Sequence, residues 1–215
     1  MAIPGKKKSR AGRSLTAKGA ATRAEILETA HEVFKEGGYY GSSISEITRR
    51  CGVSMAAFYQ YFRNKEDLFF SIPIEKTKEF RSQVELHLEG ISGTFNKIRK
   101  FVWYFLYFFK TNPDYGRILM LEMRVSRSFV KTKTYDFLKQ SVGVVMDIIA
   151  EGQKEGVIRL DTDVYILRHL ILGTLEHMVT RWLLKDTKYD LLEHHKQVSR
   201  VLISGLEAKP LAKGK

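Results

Sequence analysis

Side chains able to contact a nucleic acid are concentrated in one short stretch of the chain. Hydroxyl groups are present at Ser54, Tyr59 and Tyr61, and an ammonium group is present at Lys65. Both kinds of group can donate hydrogen bonds to phosphate oxygens. Gln60 lies between the two tyrosines, and a glutamine amide can form two hydrogen bonds to adenine in the major groove. This chemistry is useful only if a structural element presents the side chains on one surface.

Two short helices joined by a tight turn are predicted to present them. Ser43 followed by Glu46 matches the Ser-x-x-Glu capping box of a helix start. Gly52 can adopt the left-handed conformation that ends a helix, and Ser54 is a good N-cap for the next one. Asn64 would cap a further helix. This order of elements is the helix-turn-helix pattern, whose second helix enters the major groove of DNA.

The same stretch resembles the DNA-binding domain of the TetR family of bacterial transcriptional regulators. The resemblance covers about residues 20–70, with three sub-motifs at the spacing typical of the family. These are Gly52-Val53-Ser54, Phe58-Tyr59-Gln60-Tyr61-Phe62 and Asn64-Lys65-Glu66-Asp67-Leu68. The resemblance implies a homodimer that binds double-stranded operator DNA and responds to a small molecule.

The predicted roles within this stretch divide into phosphate contact, base contact and core. The resemblance implies that Tyr59, Tyr61 and Lys65 contact phosphates, whereas Phe58 and Phe62 are expected to be core residues. For either tyrosine the alternative is packing against the first helix. Base contacts would come from Gln60 and from the methyl groups of Met55 and Ala57, which can touch the methyl group of thymine. The full set of predicted DNA-binding residues is Ser43, Ser54, Met55, Ala57, Tyr59, Gln60, Tyr61 and Lys65.

The chain is strongly basic, and its charge is uneven. The 215 residues carry a net charge of +12, which indicates a polyanionic partner. Residues 1–19 form a predicted disordered basic arm, rich in Gly, Ser, Lys and Arg. Two interpretations of the arm stay open: a solvated tail, or a segment that contacts phosphates or a minor groove.

The composition also indicates a cellular compartment. A single cysteine, Cys51, excludes an intrachain disulfide and suits a reducing bacterial cytoplasm. A small apolar role for Cys51 is favoured over redox sensing. The longest apolar run, from Phe101 to Phe109, is too short for a membrane span, which needs about 20 residues. No membrane association is expected.

An all-α fold of about nine helices is predicted, since helical periodicity continues to the C-terminus. The predicted domains are a three-helix DNA-binding domain at 20–68, a helical ligand-binding and dimerisation bundle at 69–207, and a tail at 208–215. The first helix would run over about residues 20–36 and end at Gly37-Gly38. Beyond the helix-turn-helix, helices are predicted at about 64–88 with a break near Pro73, 94–110, 113–125, 132–155, 161–185 and 189–207.

No catalytic or metal-binding arrangement is evident in the predicted bundle. It contains no Gly-x-Ser-x-Gly, no glycine-rich phosphate loop and no cysteine cluster, so we expect neither an enzyme nor a cofactor. None of the six histidines forms a His-x-x-x-His pair. His169 and His177 are eight residues apart, and polar residues at a core edge or interface are favoured over metal ligands.

The last two predicted helices carry more apolar surface than one core requires. Apolar residues of the last helix add to the apolar faces of the helix before it: Leu191, Leu192, Val198, Val201, Leu202 and Leu206. A surplus apolar face rimmed by charge indicates a protein interface. Pairing with a second copy would give a four-helix homodimer interface, and the TetR resemblance implies the same one. Two-fold symmetry would place two recognition helices on half-sites about 34–36 Å apart.

The aromatic helix at 94–110 has two interpretations. Plain core packing is the favoured one for any single residue. The alternative is an apolar effector pocket among this helix and those at 132–155 and 161–185, with a few polar anchors and deformable methionines. Its predicted residues are Trp103, Tyr104, Tyr107, Phe108, Met120, Met123, Arg124, Met146, His177 and Met178.

A second resemblance suggests the effector. Segments of the C-terminal half resemble the fatty-acid-degradation regulators within the TetR family, which bind long-chain acyl-CoA. They are Leu121–Arg124, Gly156–Asp163, Gly173–Trp182 and Asp186–Leu191. The resemblance implies an acyl chain in an apolar channel, and Arg117, Arg124 or Arg127 would meet CoA phosphates, for which the guanidinium group is well shaped. Surface charge is an equally good explanation of these arginines.

Taken together, the sequence predicts a homodimeric repressor that a hydrophobic effector releases from its operator. The effector would shift the bundle between two arrangements and so change the separation of the DNA-binding domains. One alternative is a basic protein that binds nucleic acids without sequence preference, which would show a steep salt dependence. The other alternative is an enzyme acting on lipids or CoA esters.

Overall fold

The computed structural model describes residues 16–208. Residues 1–15 of the predicted arm and 209–215 of the predicted tail lie outside the described residues. The first helix begins earlier than predicted, because Thr16 acts as its N-cap and accepts a hydrogen bond from Gly19 N at 3.2 Å. The chain divides into two compact units, one ending at Ile72 and the other beginning at Pro73.

From residue 16 onward, the N-terminal unit consists of four helices. They are α1 (Ala17–Gly41), α2 (Ile44–Cys51), α3 (Met55–Tyr61) and α4 (Lys65–Ser71). The helical path of α1 is interrupted at Gly38, whose φ of 65° is in the left-handed region, near the predicted stop. Ser42 then seals the turn, since its hydroxyl donates to Gly38 O at 2.6 Å and to Val33 O at 3.1 Å.

The core of this unit forms from one face of each helix. The predicted face of α1 is confirmed at Ile26, Ala30, Val33 and Phe34, which are all buried, while Leu27 is half-buried. Phe34 packs edge-on against Phe69 of α4, and the ring centroids are 5.1 Å apart. The remaining buried apolar residues are Ile47, Phe58, Phe62, Leu68 and Phe70. The short α2 and α3 are therefore fixed in place by packing on α1 and α4.

The C-terminal unit is also helical. Its α-helices are α5 (Ile74–Leu88), α6 (Thr94–Thr111), α7 (Pro113–Gly116), α8 (Lys133–Ser141), α9 (Val144–Lys154), α10 (Val164–Leu184) and α11 (His195–Leu206). A π-helical segment, Arg117–Met123, continues α7, and a 3₁₀ turn covers Phe129–Lys131. The predicted break at Pro73 is confirmed, because α4 ends at Ser71 and α5 begins at Ile74.

Helix α6 is the centre of the unit, as its apolar sequence predicts. It packs against α5, α9, α10 and α11. Between Phe101 and Phe109 its side chains are buried except at two positions: Trp103 is half-buried and Tyr107 is 39% exposed. One face of α6 is therefore open to solvent, which an apolar run alone does not predict.

Two predicted helices have different limits in the structure. The prediction of one helix at 132–155 is wrong: it is divided into α8 and α9 by a turn at Val142 and Gly143. In this turn Gly143 N donates to Gln140 O at 3.0 Å, and a Cβ at residue 143 would be in tight contact with the same oxygen, also at 3.0 Å. The predicted start of the last helix at 189 is also wrong. Asp190 accepts a hydrogen bond from Leu192 N at 2.9 Å and stabilises a turn before α11.

The predicted all-α fold class is confirmed. Counting α4 with α5, α7 with its π-helical continuation, and α8 with α9, the described residues form the nine helices predicted. Extended pairing in residues 16–208 is limited to one antiparallel bridge between Ile158 and Glu207. Over the same residues no helix is both long and apolar enough to cross a bilayer.

Candidate DNA-binding surface and effector-binding unit

Local capping bonds hold α2 and α3 in the helix-turn-helix arrangement. Ser43 Oγ accepts from Glu46 N, and Ser54 Oγ accepts from Ala57 N, both at 3.1 Å. Gly52 ends α2 with φ 71° and ψ 19°, the predicted left-handed conformation. The second half of the predicted capping box is absent, because the Glu46 carboxylate accepts from Arg50 at 2.8 Å instead.

The predicted DNA-binding residues divide by exposure. Tyr59 is 53% exposed and Met55 is 43% exposed, so both project from the outer face of α3. Ser43, Ser54 and Gln60 are exposed as well, whereas Ala57, Tyr61 and Lys65 are half-buried. The two intervening phenylalanines, Phe58 and Phe62, are buried as predicted. Met55, Tyr59 and Gln60 therefore lie on the outer face of α3, whereas Ala57 and Tyr61, which are one helical turn apart, lie on its half-buried side.

Lys65 has a structural partner. Its ammonium group donates to Ser42 O at 2.6 Å and lies 4.5 Å from the centroid of the Tyr39 ring. Burial lowers its pKa. These contacts tie the start of α4 to the connection between α1 and α2, and they leave ammonium protons beyond the one given to Ser42.

The free cysteine is half-buried at the end of α2. Burial raises the pKa of the Cys51 thiol, which disfavours the reactive thiolate. The environment of Cys51 therefore agrees with a small packing residue.

The predicted effector residues are spread over three environments in the C-terminal unit. Tyr104, Phe108, Met120 and Met123 are buried. Half-buried positions are held by Trp103, Met146 and Met178, whereas Tyr107, Arg124 and His177 are exposed. The structure does not gather all ten around one cavity, and the buried ones pack as the core.

The buried aromatics join α6 to α5 and α7. Phe80 of α5 lies 5.1 Å from Phe108 and 5.6 Å from Tyr104 between ring centroids. Tyr115 packs at 5.6 Å from Phe108, and its hydroxyl is 3.0 Å from Thr77 Oγ1. Burial raises the pKa of Tyr104, and burial, partly offset by the Thr77 bond, raises the pKa of Tyr115 to about 12.

The π-helical segment carries both buried methionines of the predicted pocket and ends at Arg124. Arg124 N donates to Leu119 O at 3.2 Å. Its guanidinium group forms a bidentate pair with Glu176 of α10, in which the Nη2–Oε1 distance is 2.8 Å. Glu176 was not among the predicted residues, since its spacing in sequence gave no sign of this pairing. Wide turns of this kind are frequent at functional sites.

An open groove of about 620 Å³ lies among α5, α6 and α9. It is lined by Glu85, Leu86, Leu88, Glu89, Lys97, Val144, Asp147, Ile148 and Glu151, none of which belongs to the predicted effector set. Lys97 Nζ lies 2.6 Å from Glu151 Oε2. The lining combines apolar residues with four carboxylates, and its one lysine is paired with Glu151, so the groove suits neither a phosphate nor a carboxylate.

Among residues 16–208, no group of three or more His, Cys, Asp or Glu side chains could hold a metal ion. His169 and His177 are both exposed on α10. His87 instead packs against Tyr104, with 4.6 Å between ring centroids, and burial and the charge of Lys100 lower its pKa.

Comparison with known proteins agrees with both units. The family model of the bacterial regulatory proteins of the tetR family matches residues 26–72, and that of the C-terminal region of YsiA-like proteins matches residues 74–205. The second match covers more than half of the chain. The chain belongs to the TetR family. It is a ligand-responsive transcriptional repressor with a helix-turn-helix DNA-binding domain, and the predicted resemblance is confirmed.

Several of the similar proteins are regulators of fatty acid metabolism or degradation. The fatty acid metabolism regulator protein of Bacillus subtilis (strain 168) is 30% identical over 185 residues, covering 86% of this chain and 95% of that protein. Among solved structures, FadR from Bacillus subtilis in complex with stearoyl-CoA is 30% identical, with a TM-score of 0.76 over 86% of this chain and 99% of that one. FadR from Bacillus halodurans, a fatty acid degradation regulator, is 29% identical with a TM-score of 0.74 over the same shares.

Proposed function

We propose that this TetR-family protein is a homodimer that leaves its operator when a long-chain acyl-CoA binds the C-terminal unit. The observation that carries the proposal is the similarity over both units to a FadR regulator whose structure contains stearoyl-CoA. The protein would act in the bacterial cytoplasm as a binding protein and not as an enzyme, in line with relatives that are transcriptional regulators.

On DNA, α3 would enter the major groove. Gln60, Met55 and Ala57 would contact base edges, which supply hydrogen-bonding groups and the thymine methyl. Phosphates would be bound by Tyr59, Tyr61 and Lys65 and by the N-terminal ends of α2 and α3 at Ser43 and Ser54. The outward position of Tyr59 and Met55 supports this arrangement. The half-buried Tyr61 and Lys65 would contribute from the edge of the surface.

Homodimerisation would occur through α10 and α11. In α10, Tyr165, Ile166, Leu170 and Leu184 are each at least 49% exposed, and in α11 Val201 is 68% exposed. Such apolar residues, repeated along two neighbouring helices, indicate an interface when they are flanked by charge. Two copies related by a two-fold axis would bury these faces in a four-helix arrangement, as predicted from the sequence.

The acyl chain would enter the C-terminal unit beside the π-helical segment. Its buried methionines, Met120 and Met123, are unbranched and can repack around an inserted chain. The remaining predicted effector residues would line the path or its mouth. Arg124 would release the Glu176 carboxylate and bind a CoA phosphate in its place, since a guanidinium group binds both carboxylates and phosphates in a bidentate manner.

Release would follow from unequal affinity of the effector for two arrangements of the dimer. The test uses operator DNA selected from genomic fragments by the purified protein, with stearoyl-CoA as the probe and CoA and stearate as controls. We expect stearoyl-CoA to release the operator and the controls to leave it bound. Stearoyl-CoA that binds without releasing the operator, or fails to bind at all, would contradict the proposal.

The same coupling must act in the opposite direction. If stearoyl-CoA weakens operator binding by a given factor, a saturating operator must weaken stearoyl-CoA binding by the same factor. Calorimetric titration of the protein with and without its operator measures both affinities. Equal affinities for stearoyl-CoA in the two titrations would show that the effector and DNA sites are not linked.

A further inference from the structure

The solvent-exposed face of α6 combines aromatic and cationic side chains. Arg99, Lys100, Trp103, Tyr107 and Lys110 follow one another at helical spacing, and all five are exposed or half-buried. The rest of this helix between Phe101 and Phe109 is core. Large aromatic side chains in contact with water are unfavourable. When two of them are grouped on the open face of an otherwise buried helix, they indicate a binding surface.

The aromatic rings of this face are already arranged in parallel. Trp103 and Tyr107 stack with 5.0 Å between centroids and an interplanar angle of 11°. His87 contacts the Trp103 ring edge-on, with 5.7 Å between centroids. Lys100 Nζ lies 4.3 Å from the Trp103 ring. A flat ligand would therefore meet an ordered stack beside a positive charge.

The positive charges of the face are only partly neutralised. Lys110 forms an ion pair with Asp190 at 2.8 Å. Within residues 16–208, however, neither Arg99 nor Lys100 has a carboxylate partner in the structure, and Arg99 only donates to Asn96 Oδ1 at 2.9 Å. Arg99 and Lys100 are therefore available to bind an anion beside the stacked rings.

We propose that this face of α6 binds an adenine nucleotide, with the base on the Tyr107–Trp103 stack and phosphates on Arg99 and Lys100. Purines stack on aromatic rings whatever their substituents, and lysine and arginine bind phosphate oxygens. The groove among α5, α6 and α9 is the contrasting surface, since its carboxylates, including Glu89 and Asp147, would repel a nucleotide.

Two sources of this chemistry are compatible with the face. One is the nucleotide part of CoA, in which case the inference rests on the proposed acyl-CoA function and adds its base-binding surface. The other is a free adenine nucleotide that binds as a separate ligand. Tyr107 and Trp103 would contact CoA in the first case and a free nucleotide in the second, so measuring the affinity for each ligand separates the two.

The experiment measures binding of ATP, adenosine 3′,5′-bisphosphate, CoA and stearoyl-CoA to the full chain by calorimetry and tryptophan fluorescence. Only two tryptophans are present, and Trp182 is buried with Nε1 bonded to Tyr189 O, so quenching would come from Trp103. We expect Tyr107→Ala to weaken nucleotide binding about tenfold. The variant Arg99→Gln/Lys100→Gln should weaken it and flatten its salt dependence.

Matched variants elsewhere act as controls. Tyr40→Ala removes a 95% exposed tyrosine from the other unit, and Lys154→Gln removes an exposed lysine of α9, so neither should change binding. Loss of affinity for both CoA and stearoyl-CoA in Tyr107→Ala assigns the face to the nucleotide part of the effector. Loss confined to ATP assigns it to a free nucleotide. The inference is overturned if no nucleotide binds, or if Tyr107→Ala behaves like Tyr40→Ala.

The operator assay keeps the two proposals apart. Stearoyl-CoA that releases the operator equally from the wild-type protein and from Tyr107→Ala, with no nucleotide binding to either, contradicts only the inference about α6. Nucleotide binding that depends on Tyr107, without operator release by stearoyl-CoA, contradicts only the acyl-CoA function.

Discussion

At the scale of single residues, neighbours of the same type in α3 have different environments. Tyr59 and Tyr61 are two residues apart, and both are predicted to contact phosphate, yet Tyr59 is 53% exposed while Tyr61 is half-buried. The ring of Tyr59 contacts Phe58 edge-on, with 5.3 Å between centroids, while Tyr59 stays more exposed than Tyr61. The hydroxyl of Tyr59 is therefore the better single-atom test of the DNA surface.

Tyr59→Phe should weaken operator binding without changing the stability of the fold. The variant keeps the ring packing and removes one hydrogen bond to a charged phosphate, an interaction that contributes about 1.5–3 kcal/mol, so we expect at least about tenfold lower affinity. Fluorescence anisotropy with labelled operator gives the affinity. Tyr189→Phe, at a 39% exposed tyrosine of the other unit, is the matched control, and equal affinities of the two variants would contradict the role of Tyr59.

Tyr115 should make the protein less stable in alkaline solution. Burial raises its pKa to about 12, so between pH 10 and 12 the unfolded chain loses this proton while the folded one retains it, and the free energy of unfolding falls. At pH 11 the loss is about 1.4 kcal/mol. Urea denaturation at pH 8 and 11 should show it for the wild type relative to Tyr115→Phe. Parallel pH dependence in the two proteins would contradict it.

At the scale of elements, glycines decide where helices end and how closely they pack. Gly52 ends α2 through a left-handed φ of 71°, and a Cβ there would meet nothing within 4 Å. Gly152 has the opposite character. A Cβ there would lie 2.6 Å from Thr94 Cγ2 and 2.8 Å from Ile158, so α9 can approach the start of α6 only without a side chain.

Gly152→Ala should destabilise the C-terminal unit by about 1–3 kcal/mol, because an added methyl group overpacks a closed contact. Gly41→Ala is the control: it lies at the end of α1, and a Cβ there meets nothing within 4 Å. Thermal and urea denaturation measure both variants. A Gly152→Ala protein as stable as Gly41→Ala would mean that α6 and α9 can separate at little cost, which the packing does not suggest.

At the scale of the whole molecule, the exposed apolar residues of α10 and α11 form the surface that the proposed homodimer would bury. Leu170 is 49% exposed and Val201 is 68% exposed. A single recognition helix reads only a few base pairs, so a monomer with the described DNA surface would bind an operator weakly. Dimerisation would thus both cover this apolar surface and complete the DNA-binding surface.

Leu170→Glu combined with Val201→Glu should convert the dimer to a monomer and abolish operator binding at concentrations that saturate the wild type. Each charge would have to be buried unpaired at the interface. Sedimentation velocity gives the oligomeric state. Leu86→Glu, at a 59% exposed leucine of α5, should leave the dimer intact. A wild type that sediments as a monomer would contradict the homodimer directly.

Local signals along the chain were sufficient for the helical class and for the DNA-binding unit. Capping residues and helix-ending glycines act within a few residues, so Ser43, Gly52, Ser54 and Asn64 could be interpreted without knowing their neighbours in space. Apolar periodicity likewise indicated the buried face of α1. The TetR resemblance rests on the same short-range motifs.

Only the tertiary structure decided which aromatic and charged side chains of the C-terminal unit are core, paired or open. The pairing of Arg124 with Glu176, for example, joins residues that are 52 positions apart in sequence. Tyr104 and Tyr107 are neighbours in an apolar run, yet one is buried and the other is exposed. The reason is that exposure on α6 depends on which helices pack around it, and sequence periodicity does not specify the neighbours of an apolar helix.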